Sequence, residues 1–271
     1  MPTVSFRSFA LHYQSKGEGP PLVLVHGSWG DHHNWDRVVP GLAKSFRVIS
    51  YDRRGHSASG GPPGQGSVLD DAADLAGLIE QLELAPAHIV GTSFGGCVVL
   101  RLATLRPHMF RSLIVHEPPL LGLLQADDEV SDLLSEVQRR VASVVTLLEA
   151  GDHVGGARHF VEEVALGTGA WDELPEPVRR TFVHNASTWL DEVRDPDALT
   201  LPLDKLAGLS APALITRGDQ SPPWFELIAR RVARALPAAE EHVFRGAGHA
   251  PHLSHPSEWI SRVDDFATKA A

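Results

Sequence analysis

The chain has 271 residues, 43% hydrophobic and 21% charged, an ordinary globular composition long enough for one large α/β domain with an inserted subdomain. A formal net charge of -10 argues against nucleic acid and against an anionic membrane as partners. The one cysteine, Cys97, excludes an internal disulfide, and no apolar run approaches the length of a membrane span. Residues 1–10 carry Arg7 and no long apolar stretch, so no secretory signal is expected and a cytoplasmic location is.

In chain order, residues 4–9 and 11–14 read as two short strands, followed by a turn at 16–20. The run 21–25 is apolar without alternation, as expected of a central parallel strand covered on both faces, and it ends in His26-Gly27-Ser28-Trp29-Gly30. Helical spacing covers 35–43, and 46–51 is the next buried strand. Asp52-Arg53-Arg54-Gly55-His56-Ser57 follows, read as a structural turn, and then a glycine- and proline-rich loop over 59–66. Ser67 opens a helix through Leu82, with Leu69, Ala72, Ala73, Ala76, Ile79 and Leu82 expected on one buried face.

Residues 87–90 form a short strand and 97–103 a helix, with Gly91-Thr92-Ser93-Phe94-Gly95 between them. This Gly-x-Ser-x-Gly spacing in a strand–turn–helix setting is the nucleophile-elbow pattern. Its reason is steric: a serine on so sharp a turn needs neighbours without a Cβ. The turn lifts the Ser93 hydroxyl above the sheet at a helix N-terminus, where free N–H groups favour developing negative charge. Cys97, in the following helix, is read as a small buried residue rather than a second nucleophile.

A strand over 111–115 ends in His116-Glu117-Pro118-Pro119. No strand-like run then interrupts residues 120–200, where 130–150, 157–166 and 178–190 are amphipathic. This stretch is read as a helical insertion. The β–α rhythm resumes with a strand at 213–216, a helix at 224–236, a strand at 241–244 and a closing helix at 256–268. Alternation of this kind predicts a mostly parallel sheet with helices on both faces, with ligands at the carboxyl ends of the strands.

Ser28, Asp52, Ser93, Glu117, Asp219 and His249 all sit just after such ends. This layout, with the His-Gly turn, the Asp-Arg-Arg-Gly-His-Ser stretch, the elbow and the late Gly248-His249, resembles the α/β-hydrolase family over nearly the whole chain apart from the insertion. The resemblance implies an α/β-hydrolase core over 1–119 and 201–271 and a helical cap, or lid, over 120–200. It implies Ser93 as nucleophile and His249 as its base, since histidine titrates nearest neutrality and His249 matches the family's histidine loop. His252 is given a lining role. A metal site at His249 and His252 is not expected, because no third ligand accompanies them.

The orienting acid departs from the commonest family pattern, Gly-x-x-Asp, because that spacing from Gly218 reaches Ser221. Asp219 stands two positions early. Some members, including many haloalkane dehalogenases and the fungal zearalenone lactonases, place the acid after the strand that follows the nucleophile helix. His116-Glu117-Pro118 is similar to the lactonases' His-Glu there. Glu117 is therefore preferred as the acid, with Asp219 as the alternative. The fold further implies an oxyanion hole from the N–H groups of Ser28 and Phe94. His26 is expected to brace its loop. Trp29, His33 and Trp35 either line the pocket or pack its mouth, and Trp189 either closes over substrate or packs the cap.

Haloalkane dehalogenases and epoxide hydrolases use an aspartate where Ser93 stands, so their chemistry is set aside. No Gly-x-Gly-x-x-Gly opens the first helix, which argues against a dinucleotide. The expected function is a cofactor-independent serine hydrolase acting on a small-molecule carboxylic ester or lactone through an acyl-enzyme, tilted to lactone opening by His116-Glu117-Pro118. The alternatives on the same site are a cofactor-free haloperoxidase or perhydrolase, a carbon–carbon bond hydrolase, and a non-catalytic binding protein. The oligomeric state is open, a homodimer being one arrangement.

Overall fold

Runs with no polar position fix strands that are covered on both faces, and this is how the computed structural model places them. It describes residues 2–6, 8–62 and 64–270. Arg7 in the expected first strand and Pro63 in the expected loop lie outside the described residues. The strands are β1 (Thr3–Ser5), β2 (Ala10–Lys16), β3 (Pro21–Val25), β4 (Arg47–Tyr51), β5 (Ala87–Thr92), β6 (Phe110–His116), β7 (Ala213–Gly218) and β8 (Ala239–Phe244). They form one sheet in the order β1-β2-β4-β3-β5-β6-β7-β8. β2 pairs antiparallel with β1 and β4, and every other pairing is parallel.

Helices α1 (Val39–Leu42), α2 (Val68–Gln81) and α3 (Phe94–Leu105) precede β6. Between β6 and β7 come α4 (Ser131–Glu149), α5 (His153–His159), a π-helical turn (Phe160–Ala165), α6 (Ala170–Glu173), α7 (Glu176–His184) and α8 (Ala186–Arg194). No strand lies in that stretch among the described residues. Then follow α9 (Trp224–Ala235), α10 (Pro251–Ser254) and α11 (Pro256–Lys269). No helix of the described residues is long and apolar enough to cross a membrane.

The strand pleat sends alternate residues to opposite faces. Val23 and Val25 of β3 join Ile49, Ile89, Leu113 and Ile215 under α2, α3 and α9. Leu22 and Leu24 join Val48, Val90, Ile114 and Leu214 under α1 and α11. A third cluster, including Val144, Leu148, Trp171 and Trp189, lies within the helices between β6 and β7, and Trp29 from the β3 loop completes it.

Three local expectations change. The single helix over 35–43 is instead a 3-10 turn, His32–Trp35, and the short α1. Asp31 caps the first by accepting from the His33 N–H, and Pro40, with no N–H to give, sits in the first turn of the second. The helix over 178–190 is broken into α7 and α8 at Asn185, whose side chain is committed elsewhere, as shown below.

The buried face of α2 keeps Ala72, Ala76 and Ile79 of the expected one but is shifted beyond it. Leu69 is 42% exposed and Ala73 is exposed, whereas Asp71 and Asp74 are buried beside Leu75 and Leu78. The two aspartates face inward because Arg53 Nη1 donates to Asp71 at 3.0 Å and Arg54 Nε to Asp74 at 2.6 Å. A face sorted by apolarity alone misses paired charges. Leu75→Ala should cost about 2–5 kcal/mol and Leu69→Ala under about 1 kcal/mol, read from urea unfolding midpoints. Equal costs would contradict this face.

Candidate active site

The site is built where β3, β5 and β6, neighbours in the sheet, all end at one edge. Ser93 sits between β5 and α3 with φ 53° and ψ −128°. The turn is possible only without side chains beside it. A Cβ on Gly91 would stand 2.4 Å from the Gly95 carbonyl oxygen, and one on Gly95 would stand 2.3 Å from that of Val25. Both distances are below any tolerable contact. Trp29 after β3 and Glu117 after β6 also hold positive φ, 65° and 45°.

Glu117 is 1% exposed. Its Oε1 accepts the Gly218 N–H at 2.7 Å and its Oε2 accepts His249 Nδ1–H at 2.6 Å. Burial by itself would raise this carboxyl, but the His249 hydrogen bond and the neighbouring imidazoles outweigh it and hold Glu117 at about 2. His249 stacks on Phe225, ring centroids 5.0 Å apart. With Nδ1–H committed to Glu117, Nε2 is the imidazole's proton acceptor. His116 donates from Nδ1 to Thr216 Oγ1 at 2.9 Å, and burial brings it down to about 4, so it is neutral at pH 7.

Asp219 lies elsewhere. It accepts the Gly246 N–H at 2.7 Å and Gln220 Nε2 at 3.1 Å, with Arg245 3.7 Å away. It braces the turn leading to His249 and does not bond His249 itself. Among the described residues, neither the Ser28 nor the Phe94 N–H has a protein partner. His26 donates from Nδ1 to the Gly27 carbonyl at 2.8 Å and accepts the Arg53 N–H at Nε2, 3.0 Å, which is the bracing geometry expected of it. Asp52 accepts from the His32 N–H, His32 Nδ1 and the Ala58 N–H, so the turn after β4 is structural.

Two cavities meet at Ser93 and His249. The larger, about 370 Å³, lies against His33, Asn34, Thr181, Phe182 and His252. The smaller, about 180 Å³, is walled by Val141, Trp189, Trp224 and Phe225. His33 and Trp189 therefore reach a cavity. Trp29 and Trp35 do not: the substrate-lining place of Trp29 is corrected, and of the two places open to Trp35 it takes the packing one. Trp29 is fully buried between Phe160 and Trp189, at 4.9 and 5.5 Å, and Trp35 packs on His252 and Trp259. Both rings are consumed by packing because the loop after β3 turns them inward. Cys97 is buried, which pushes its thiol up and leaves it inert.

Residues outside the sequence reading also belong here. Phe225 stacks on the histidine, and Phe160 walls both cavities. Glu192, 7% exposed, accepts from the Ser28 hydroxyl and from Arg53. Burial pushes Glu192 up, opposed by Arg53. The available signal was a carboxylate at helical spacing from Trp189 on an otherwise apolar face. His116, Glu117 and His249 bring ligand-type atoms within 4.8 Å of one another. Both Glu117 oxygens are already taken by N–H donors, which suits an orienting carboxylate better than a metal ligand.

A model of the α/β hydrolase fold matches residues 20–256, so the chain belongs to the α/β-hydrolase fold family of enzymes. It is 31% identical to a pimeloyl-[acyl-carrier protein] methyl ester esterase of Aeromonas hydrophila, over 92% of this chain and 96% of that one. It is 28% identical to a 2-hydroxy-6-oxo-2,4-heptadienoate hydrolase of Pseudomonas putida, over 92% of this chain and 90% of that one. One further curated relative is matched over 62% of its length. A solved α/β hydrolase of Sphaerobacter thermophilus superposes with a TM-score of 0.77 at 27% identity, covering 98% of this chain and 100% of that one.

Glu117→Gln should lower kcat by roughly 10³- to 10⁴-fold, as loss of an orienting carboxylate does, and Asp219→Asn by only a few-fold. The reverse ranking would reassign the acid. Glu117 is held at about 2 against an ordinary 4.5, so its ionised form adds stability in full above pH 4.5, and that stability is lost as pH falls towards 2. Acid-unfolding curves of Glu117→Gln should be flatter than wild type in that window.

Proposed function

We propose that the protein is a serine hydrolase that cleaves a neutral carboxylic ester or lactone through an acyl-enzyme. The observation that carries this reading is the His249–Glu117 hydrogen bond of 2.6 Å, which leaves Nε2 as proton acceptor in a cavity wall shared with Ser93. Ser93 Oγ attacks the carbonyl carbon and its proton passes to His249 Nε2. The unpartnered N–H groups of Ser28 and Phe94 take the oxyanion, a term worth on the order of 3 kcal/mol per donor. His249 then protonates the leaving alkoxide as the carbonyl–oxygen bond breaks. Water, giving a proton to His249, attacks the acyl-enzyme; the acyl–Oγ bond then breaks as His249 returns that proton to Ser93 Oγ, and the acid is released. In a lactone the leaving alkoxide stays in the same molecule and the product is a hydroxy acid.

The esterase relative supports this chemistry. The dienoate of the other named relative is a carboxylate, and neither cavity is walled by a lysine or arginine among the described residues. That favours an uncharged substrate over such an anion. The helices of residues 120–200 act in this reading as a cap, since they supply one wall of each cavity.

The test is mass-spectrometric. Wild type and Ser93→Ala are incubated with simple esters and macrocyclic lactones, and gain of one water is scored. Ser93→Ala should lower kcat/KM at least ~10³-fold. Ring-opened lactone from wild type supports the lactonase form, and cleavage of simple esters alone supports an esterase. A panel without any Ser93-dependent product would overturn the proposal.

A further inference from the structure

The loop that carries the Ser28 N–H is braced at His26 by the turn after β4, and beyond Gly27 it is held from above. Three consecutive residues of it are gripped by the helices between β6 and β7. The Ser28 hydroxyl donates to Glu192 Oε2 on α8. Trp29, at φ 65°, has its ring packed among Phe160, Phe182 and Trp189. The carbonyls of Trp29 and Gly30 accept from Asn185 Nδ2 at 3.2 and 2.9 Å. A positive φ on a tryptophan persists only where its surroundings over-determine it. Here those surroundings are side chains of α7, α8 and the π-helical turn.

Glu192 is the polar member of this grip. Its other oxygen, Oε1, accepts from Arg53 Nη2, and the Arg53 guanidinium lies 4.8 Å above the ring of Phe94. Phe94 contributes the other N–H assigned to the oxyanion. One carboxylate therefore touches the side chain of the first donor residue and the cation resting on the second. It lines the smaller cavity beside Ser93, but both its oxygens are occupied, so it offers substrate no free charge.

We propose that Glu192 is a positioning residue, which through the Ser28 hydroxyl and Arg53 holds the Ser28 N–H on the reacting carbonyl, so that the helices between β6 and β7 complete the oxyanion hole. This rests on the reading of Ser93 as an acyl-transfer nucleophile. A donor of this kind acts on the transition state more than on bound substrate, so its misplacement lowers kcat and leaves KM nearly unchanged.

The experiment uses the full chain and an ester that the wild type hydrolyses. Glu192→Gln, Ser28→Ala and the double variant are compared by steady-state kinetics, with thermal unfolding run alongside. Ser28→Ala removes the hydroxyl and keeps the backbone N–H. Glu192→Gln is expected to lower kcat roughly 10- to 100-fold with KM within about threefold, because small misplacements of an oxyanion donor have costs of that size. Ser28→Ala is expected to lower kcat about tenfold, and the double variant to be no worse than Glu192→Gln alone, since both act through one contact.

Unchanged kcat in Ser28→Ala, a variant that leaves the buried Arg53 pair intact, overturns the inference even where Glu192→Gln does not fold. Multiplicative losses in the double variant overturn it as well, because Glu192 then acts by another route. A wild type without Ser93-dependent ester cleavage overturns the functional reading and this inference together. Wild-type turnover with unaffected variants overturns this inference alone.

Discussion

The buried guanidinium of Arg53 ties the parts of the molecule together. Its side chain is 0% exposed, so no water can replace a missing partner. Asp71 reaches it from α2 and Glu192 from α8, and His56 Nε2 accepts from it at 3.2 Å. Its backbone N–H bonds His26, and its Nη2 lies 3.5 Å from the Gly27 carbonyl. One positive charge thus stands between two buried carboxylates, and burial pushes Asp71 up to about 6 despite that charge. Removing Arg53 typically costs about 3–5 kcal/mol, because both carboxylates are left buried without their cation. The sheet-side helix, the loop after β3 and the helices above it share this one compensation.

Strain is concentrated where the chemistry is proposed. Of five non-glycine residues at positive φ among those described, Trp29, Ser93 and Glu117 follow β3, β5 and β6. Each position has a cost of about 1–3 kcal/mol. What holds Ser93 and Glu117 is the parallel ladder, carried one step past the strands: Ser93 N–H bonds the His116 carbonyl at 2.9 Å, and Glu117 N–H bonds that of Thr216 at 3.2 Å. Parallel strands end on one edge, so residues 24 positions apart in the chain become neighbours there. The Thr216 hydroxyl adds a lateral brace by donating to the Val115 carbonyl and accepting from His116.

The parts of this arrangement that depend on local chemistry were legible in the residues. Apolar runs such as 21–25 stood out because burial on both faces leaves no polar position, and Gly91 and Gly95 because a sharp turn excludes a Cβ. Glu117 was legible only through likeness to relatives that carry the acid there; its spacing alone left Asp219 open. Other features depended on pairing across long sequence separations. The face of α2 turned on Arg53 and Arg54, and the break at Asn185 turned on the carbonyls of Trp29 and Gly30. Trp29 reads as a pocket residue from its neighbours, yet its ring belongs to a cluster whose other members lie more than 100 positions later.

The meeting of two cavities at Ser93 constrains any substrate of the proposed reaction. In the proposed reaction the carbonyl would sit at Ser93, where chambers of about 370 and 180 Å³ meet and each can take one of its substituents. Beyond Ser28, Ser93 and His249 the smaller is apolar apart from Glu192, whose oxygens are already taken, so it suits a hydrocarbon group. Phe160 and Ala165 wall both chambers and bound the π-helical turn. A π-turn is a costly departure from α-helix and places side chains that a regular helix would rotate away. Changing that turn alters both chambers at once, whereas Ser93, Glu117 and His249 stand on the opposite, sheet-borne wall. In the proposed reaction the chamber walls and the reacting residues thus come from different parts of the chain, joined through Glu192 and the loop it holds.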